Sequence, residues 1–449
     1  MKKEIMHFGD VYKHFQTIEH KDNFLHVKEK NDWITTSKKT FLRDIRYLTL
    51  AFNDLNWKDK QVAIVIASSP TWLMLDYALM LSGAISVPLF TNVSSKNLLF
   101  EFDDSGIHTA FVETQEQEKR IHQVHSSTEV IYIQKNQSGQ KTLEDFLLHG
   151  KYIDTDNPKL FDTILTMIDE NDLATIVYIS GTSGTPKGVE LSHGNLISQI
   201  HATAENYKFD KTSDVAFSFL PLAHIFERMV MHFYLSQELE VYFADDVKNV
   251  GVLLKEVNPT VMTVVPRLLE KVFFKMKVKA MDGNVLKKAL VILAFYGATT
   301  KDIASHNLLD TLLDKLVYRK LRAALGSRMR MMISGGAALS DDLYRFYPNI
   351  GIPLYQGYGQ TETSPVIASN TPRDNKVGTC GKAFPYVNVK VSEDGELLVK
   401  GPNVMRGYHN NSEATAKAID SDGWLHTGDL ASIDDEGFVK YYWAYKRHV

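Results

Sequence analysis

The 449-residue chain carries a single cysteine, Cys380. One thiol can neither close an intrachain disulfide nor build a cysteine-based metal site, so the fold does not depend on an oxidising compartment and a reduced cytoplasm is the expected setting. Positive charge is not in excess. Fifty Lys and Arg stand against 54 Asp and Glu, a net charge of −4, so there is no broad basic field for a polyphosphate backbone and no nucleic acid partner is expected. The first residues lack the unbroken apolar stretch of an export signal, because Glu4, His7 and Asp10 interrupt it. The most apolar region, 61–90, has Asp76 as its only acid or base, yet two prolines, a glycine and several serines break it. It reads as a buried strand at 62–67, a turn at Ser69-Pro70, a helix at 72–82 and a strand at 85–88, the pattern of a parallel sheet and not of a membrane span. Only peripheral membrane contact is left open. Repeats of 20 to 50 residues and low-complexity tracts are also missing, which excludes solenoids and linker-like segments.

What is present is an ordinary globular composition, with 44% apolar and 23% charged residues, in a chain long enough for roughly two to four folding units. Helical patterning at 40–55 and 95–104 alternates with strands at 62–67 and 108–112. Such alternation implies right-handed crossovers and a largely parallel sheet. The polar stretch 135–158 is expected to cross the surface before a second unit repeats the theme, with helices at 160–169 and 195–207 and strands at 174–179, 215–219 and 260–265. From Lys376 short β runs at 387–391 and 396–399, separated by Asp394-Gly395 and Gly401-Pro402, predict hairpins of a small β unit.

Chemistry first enters at YISGTSGTPKGVELSHGN, residues 178–195. A β-branched strand runs into Gly181, Gly184 and Gly188, with Thr182, Ser183, Thr185 and Lys187 between them. Converging backbone N–H groups, hydroxyl donors and one fixed cation describe a loop that cradles phosphate. It is not a Walker loop, because Pro186 precedes the lysine and Gly188 replaces the magnesium-holding Ser or Thr. The second constellation is MMISGGAALS, 331–340, followed by IPLYQGYGQTETSP, 352–365. Bare backbone at Gly335, Gly336 and Ala337 suits a planar ring. Gln356, Gly357, Tyr358 and Gly359 then lead to Thr361 and Glu362, an aromatic face, a hydroxyl and a carboxylate. One carboxylate plus substrate phosphates commonly suffices for magnesium. The third is DGWLHTGDLASIDDEGF, 422–438, in which Asp429 alone would be read as a turn residue.

Together the runs 182–188, 358–362 and 424–429 resemble, in order and wording, the adenylate-forming superfamily of acyl-CoA synthetases, peptide-synthetase adenylation domains and luciferases. The segment SFLPLAHIFERMV, 218–230, looks like the long-chain fatty acid-CoA ligases. The resemblance implies an α/β fold with two parallel-type subdomains, about 1–165 and 166–370, and a small β-barrel-like subdomain, 371–436. It implies ATP-dependent conversion of a fatty acid to acyl-adenylate and then, with coenzyme A, to thioester. By resemblance Thr182, Ser183, Gly184, Thr185 and Lys187 hold the triphosphate, while Gly335, Gly336, Ala337, Gln356, Gly357, Tyr358 and Gly359 enclose adenine. Thr361 would contact the α-phosphate, Glu362 the magnesium (Mg2+), Asp429 the ribose, and His224 would line the acyl carboxylate site. The end of the sequence departs from the family. Trp443 and Ala444 stand where a Gly-Arg pair is expected, and Lys446 and Arg447 look like a basic remnant. Residues 437–449 therefore read as an altered hinge with the C-terminal lid domain absent. Two outcomes follow: a ligase with impaired turnover, or a nucleotide and fatty acid binding protein with little catalysis.

Overall fold

The computed structural model describes residues 5–17, 21–30, 32–134, 139–181, 184–282, 284–303 and 308–442. Thr182 and Ser183 of the Gly-rich loop, and Trp443, Ala444, Lys446 and Arg447, lie outside them. The apolar run folds as strand Gln61–Val65, helix Pro70–Ser82 and strand Ile85–Pro88. Ser69 caps the helix, its hydroxyl accepting from the Trp72 N–H at 3.2 Å, and Pro70 occupies the first turn. Twelve of the thirteen helical residues are buried. A helix apolar all round needs cover on every side, and here it lies in the core cluster shared with the elements of the second sheet.

Seven strands form the first sheet, in the order 407–408, 187–192, 173–179, 85–88, 61–65, 109–112 and 129–132. The last five pair in parallel, whereas Lys187–Ser192 runs antiparallel to Leu173–Ile179 and Gly407–Tyr408 closes that edge. The second sheet has nine strands, in the order 382–383, 366–369, 354–359, 331–334, 261–264, 215–218, 240–243, 25–29 and 32–36. Its six strands from 354–359 to 25–29 are parallel. A four-stranded antiparallel sheet built from 388–391, 396–400, 425–433 and 439–442 makes the small β unit.

Two expectations are corrected. The subdomain boundary near 165 does not hold, because Leu25–Glu29 and Asp32–Thr36 belong to the second sheet while Leu173–Ile179 and Lys187–Ser192 belong to the first. The stretch 135–158 is not merely a surface crossing, since Leu143–Asp156 is a helix. The Asp145 carboxylate accepts from the Thr142 N–H at 2.8 Å to start it. Leu143, Phe146 and Gly150 are buried on one face, and a Cβ at Gly150 would stand 1.8 Å from the Tyr47 carbonyl oxygen. Tyr47 belongs to helix Lys38–Asp54, and the two helices come together at that point with no room for a side chain.

Candidate active site

Ligands of doubly wound sheets sit outside the carboxyl ends of the strands, where the strand order reverses. In the nine-stranded sheet that point is Val215–Ser218, since the chain goes next to 240–243 on one side and then to 261–264 on the other. A cavity of about 200 Å³ opens at this edge. His224 comes to it from beyond 215–218, Gly335 and Gly336 from the end of Met331–Ser334, and Gly357, Tyr358, Gly359 and Thr361 from the end of Leu354–Gly359. Met229, Val230 and Phe384 supply apolar wall. The register Ser334 opposite Gln356 sets Gly335 beside Gly357 across the mouth. A Cβ at Gly359 would stand 1.8 Å from the Pro365 carbonyl oxygen, so the tight return of the chain after Thr361 admits only glycine.

His224 is solvent-accessible and N-caps the helix Ile225–Ser236, its Nδ1 accepting from the Phe226 N–H at 3.2 Å. It faces an open concavity crowded by protein, and desolvation lowers its pKa. The imidazole is therefore poised neutral, and with Nδ1 occupied as an acceptor its proton sits on Nε2, which can donate without adding charge.

The third motif reaches the same place. Tyr358 donates its hydroxyl hydrogen to Asp429 Oδ2 at 2.8 Å, and Gln360 Nε2 donates to that oxygen at 3.0 Å and to the Thr427 carbonyl at 2.7 Å. Burial and the Asp429 charge hold the Tyr358 phenol well above its ordinary pKa. Tyr441 stacks on the Tyr358 ring at 4.8 Å, fixing its plane. On the other side of Thr361, Tyr408 donates to Glu362 Oε1 at 2.8 Å, and Lys187 Nζ stands 4.6 Å over the Tyr408 ring. Lys187 and Tyr408 also line a wider opening of about 410 Å³. Asp429, Tyr358, Thr361, Glu362 and Lys187 thus form one continuous polar track. Gly184, with φ +83, turns back to its own loop through an N–H bond to the Gly181 carbonyl at 3.0 Å, and Thr185 is exposed. Ala337 stands exposed outside the cavity and Gln356 is buried beneath it, so neither lines it. Among the described residues no cluster of three metal-ligating side chains occurs, so a cation here would rely on Glu362 and substrate oxygens.

The profile of the AMP-binding enzyme family matches residues 21–409. The chain belongs to that family. It is 34% identical over 390 residues to Long-chain-fatty-acid--CoA ligase FadD15 of Mycobacterium bovis, a match covering 84% of this chain and 64% of that protein. It is 30% identical over 426 residues to Long chain acyl-CoA synthetase 7, peroxisomal, of Arabidopsis thaliana, covering 89% and 60%. The match thus spans less than two thirds of the length of these curated relatives. The crystal structure of the N-terminal domain of FACL13 from Mycobacterium tuberculosis aligns with a TM-score of 0.73 over 98% of this chain and 99% of that one, at 21% identity, a likeness of fold.

For a member of the AMP-binding family, the residues that sequence reasoning missed are as informative as those it found. Tyr408 ties Lys187 to Glu362, yet it sits in a two-residue strand whose only sequence signal is Gly407-Tyr408. Glu227 and Arg228, in the segment that suggested the acyl site, are fully buried and do not line the cavity. Glu227 accepts from the Ser218 hydroxyl at 2.6 Å and the Thr263 hydroxyl at 2.5 Å, and burial raises its pKa to about 7. Arg228 forks onto Asp76, with Nε to Oδ2 at 2.8 Å and Nη2 to Oδ1 at 2.5 Å, and Nη1 reaches the Thr175 hydroxyl at 2.7 Å. The lone acid of the apolar run is therefore the bolt between the two large sheets.

Proposed function

We propose that the chain activates a long-chain fatty acid: the carboxylate attacks the α-phosphorus of ATP, pyrophosphate leaves, and the thiol of coenzyme A then displaces AMP to give the acyl thioester. The observation that carries this reading is the polar track from Asp429 through Tyr358, Thr361 and Glu362 to Lys187. A nucleotide can be laid along it with base and ribose together at the Tyr358–Asp429 end, the α-phosphate at Thr361, and the cation and terminal phosphates at Glu362 and Lys187. In that layout adenine lies between the Gly335-Gly336 backbone and the Tyr358 ring, and Asp429, already an acceptor, takes the ribose hydroxyls. Thr361 donates to the α-phosphate. Lys187 leaves the Tyr408 ring for the terminal phosphates, and Thr182, Ser183, Gly184 and Thr185 complete the cradle. Glu362 would hold the magnesium that accompanies ATP, and the ion would neutralise charge that otherwise repels the attacking carboxylate. His224 and the apolar wall behind it receive the acyl carboxylate and the start of its chain.

The preference for a long acyl chain rests on the segment 218–230 and on the names of the relatives. An ATP–pyrophosphate exchange assay across fatty acids of graded length tests the proposal. Exchange that rises with chain length supports it. Failure to bind ATP by calorimetry, or exchange supported only by amino acids or short acids, refutes it.

A further inference from the structure

Segment 401–409 leaves the small β unit after strand Glu396–Lys400, and no sequence motif marks any of its residues as part of the site. It nevertheless reaches both ends of the phosphate half of the track. At one end lies the turn that bears Thr361 and Glu362. Asn403 is fully buried there, and its Nδ2 donates to the Thr363 and Val366 carbonyls at 3.2 Å each, while its own carbonyl accepts from the Ser364 hydroxyl at 2.9 Å. The Met405 N–H then donates to the Glu362 carbonyl at 2.9 Å. At the other end lies strand Lys187–Ser192. The Arg406 N–H donates to the Glu190 carbonyl at 3.0 Å and the His409 N–H to the Gly188 carbonyl at 2.7 Å, which seats Gly407–Tyr408 along that strand. Tyr408 joins the two ends, its hydroxyl on Glu362 Oε1 and its ring beneath Lys187.

Lys187 starts a strand of the first sheet, whereas Glu362 follows a strand of the second, so their spacing is set by whatever bridges the two sheets at this place. We propose that Asn403 is a positioning residue for the cation end of the site: it locks the 361–366 turn onto segment 401–409, and that segment, seated on strand Lys187–Ser192, fixes Glu362 relative to Lys187. The inference rests on the nucleotide layout proposed above and names what holds its metal end in place. An amide suits the position, because Nδ2 carries two hydrogens for two buried carbonyls and brings no charge to desolvate. Its surroundings are built to receive it. A Cβ at Gly401 would stand 2.8 Å from Asn403 Oδ1 and 2.9 Å from the Tyr386 carbonyl oxygen, so glycine is what lets the amide turn inward. Asn195, in the first turn of helix His193–Asn206, grips the carbonyls on either side, with Nδ2 to Pro402 at 2.7 Å and to Val404 at 2.9 Å. Gln199 of the same helix accepts from the Val366 N–H at 2.9 Å and steadies the far end of the turn. Groups that orient a metal-binding carboxylate without touching the ion are commonly worth about 10-fold to 100-fold in affinity.

Calorimetric titration of the full chain with ATP, in the presence and absence of magnesium, and with AMP tests it. Asn403→Ala should lower the affinity for ATP with magnesium by about 10-fold and leave AMP within about twofold, because the base and ribose end is untouched. Placed on Glu362→Gln, the same substitution should add almost nothing to the loss of magnesium enhancement, since it acts through that carboxylate. Truncating a buried amide can cost stability, so Asn195→Asp supplies a second route. It keeps the Oδ1 bond to the Ser192 N–H, at 2.9 Å, and removes only the donors to Pro402 and Val404. It should lower the magnesium enhancement by about threefold, the worth of one neutral hydrogen bond. Magnesium enhancement at the wild-type value in either folded variant, whatever the melting temperature does, makes Asn403 a purely structural amide and overturns the proposal. So does a loss equal for ATP and AMP, or one that adds in full to that of Glu362→Gln. These outcomes refute the inference alone, whereas a wild type that binds no ATP refutes the ligase reading and the inference with it.

Discussion

Replacing Arg228 by Met should loosen the joint between the two large sheets. The guanidinium is fully buried and makes three hydrogen bonds to oxygen, two to Asp76 and one to Thr175, with a fourth to the Met80 sulfur at 3.7 Å, and it stands 5.7 Å from the Trp72 ring centroid. Burial alone would push the Asp76 carboxyl up, but Arg228 and His232 outweigh it and hold the group below its ordinary pKa. Methionine fills much of the volume while leaving an anion with the Ser86 hydroxyl at 2.7 Å and His232 at 3.2 Å. Breaking one side of such a pair costs about 3–5 kcal/mol. For 449 residues unfolding as a unit, an entropy of about 2.1 cal/mol/K per residue gives about 0.9 kcal/mol/K. The melting temperature should therefore fall by about 3–5 °C in scanning calorimetry. Asp76→Asn added to Arg228→Met removes the stranded charge and should recover at least half of the loss. A drop under about 1 °C for Arg228→Met, or a double variant as unstable as the sum of the singles, would show that the pair does not hold the sheets together.

Lys187→Ala should raise the ATP dissociation constant by about 10-fold to 100-fold in calorimetry, the equivalent of one charge-assisted contact, with the melting temperature unchanged. An unchanged constant would make the loop structural. Glu362→Gln should reduce the magnesium enhancement of ATP binding and spare AMP, and Tyr408→Phe, which removes the hydroxyl holding Glu362, should act in the same direction; equal losses for ATP and AMP would count against the assignment. Glu227 has a folded pKa near 7 against an ordinary 4.5, so the folded state holds the extra proton between those values and stability falls as pH rises from about 4.5 to 7. Glu227→Gln should lift the melting temperature relative to wild type at pH 8 more than at pH 5; a difference independent of pH would mean that the carboxyl ionises normally in the fold.

The parts of the fold that were legible are those with a local cause. Strand Ile85–Pro88 and helix Pro70–Ser82 could be read because a short apolar run, a Ser-Pro start and a closing glycine act within a few residues. The three motifs were legible for the same reason, each being a dense local pattern of glycine, hydroxyl and charge. Strand membership was not, because nothing in Leu25–Glu29 says that its partner is Glu240–Phe243. Helix Leu143–Asp156 was hidden because its exposed side mixes Leu148 and Tyr152 with charged residues and so blurs the helical pattern, although the Thr142-x-x-Asp145 start and the buried Leu143 and Phe146 were there to find. Glu227 and Arg228 could not be told from site residues by type, since a buried charge and a functional one differ only in what surrounds them.

The edge strand Gly407–Tyr408 also bears on how the protein comes into being on a ribosome. Its partner Lys187–Ser192 is made about 215 residues earlier, an interval of roughly 10 to 40 s at 5 to 20 residues per second. Leu25–Glu29 likewise waits for Glu240–Phe243. During both waits a strand bearing unsatisfied N–H and C=O groups stands without its neighbour, the situation in which chains pair with the wrong partner. Birth of this molecule should therefore be more hazardous than its later life, and chaperone capture should fall on nascent chains shorter than about 410 residues.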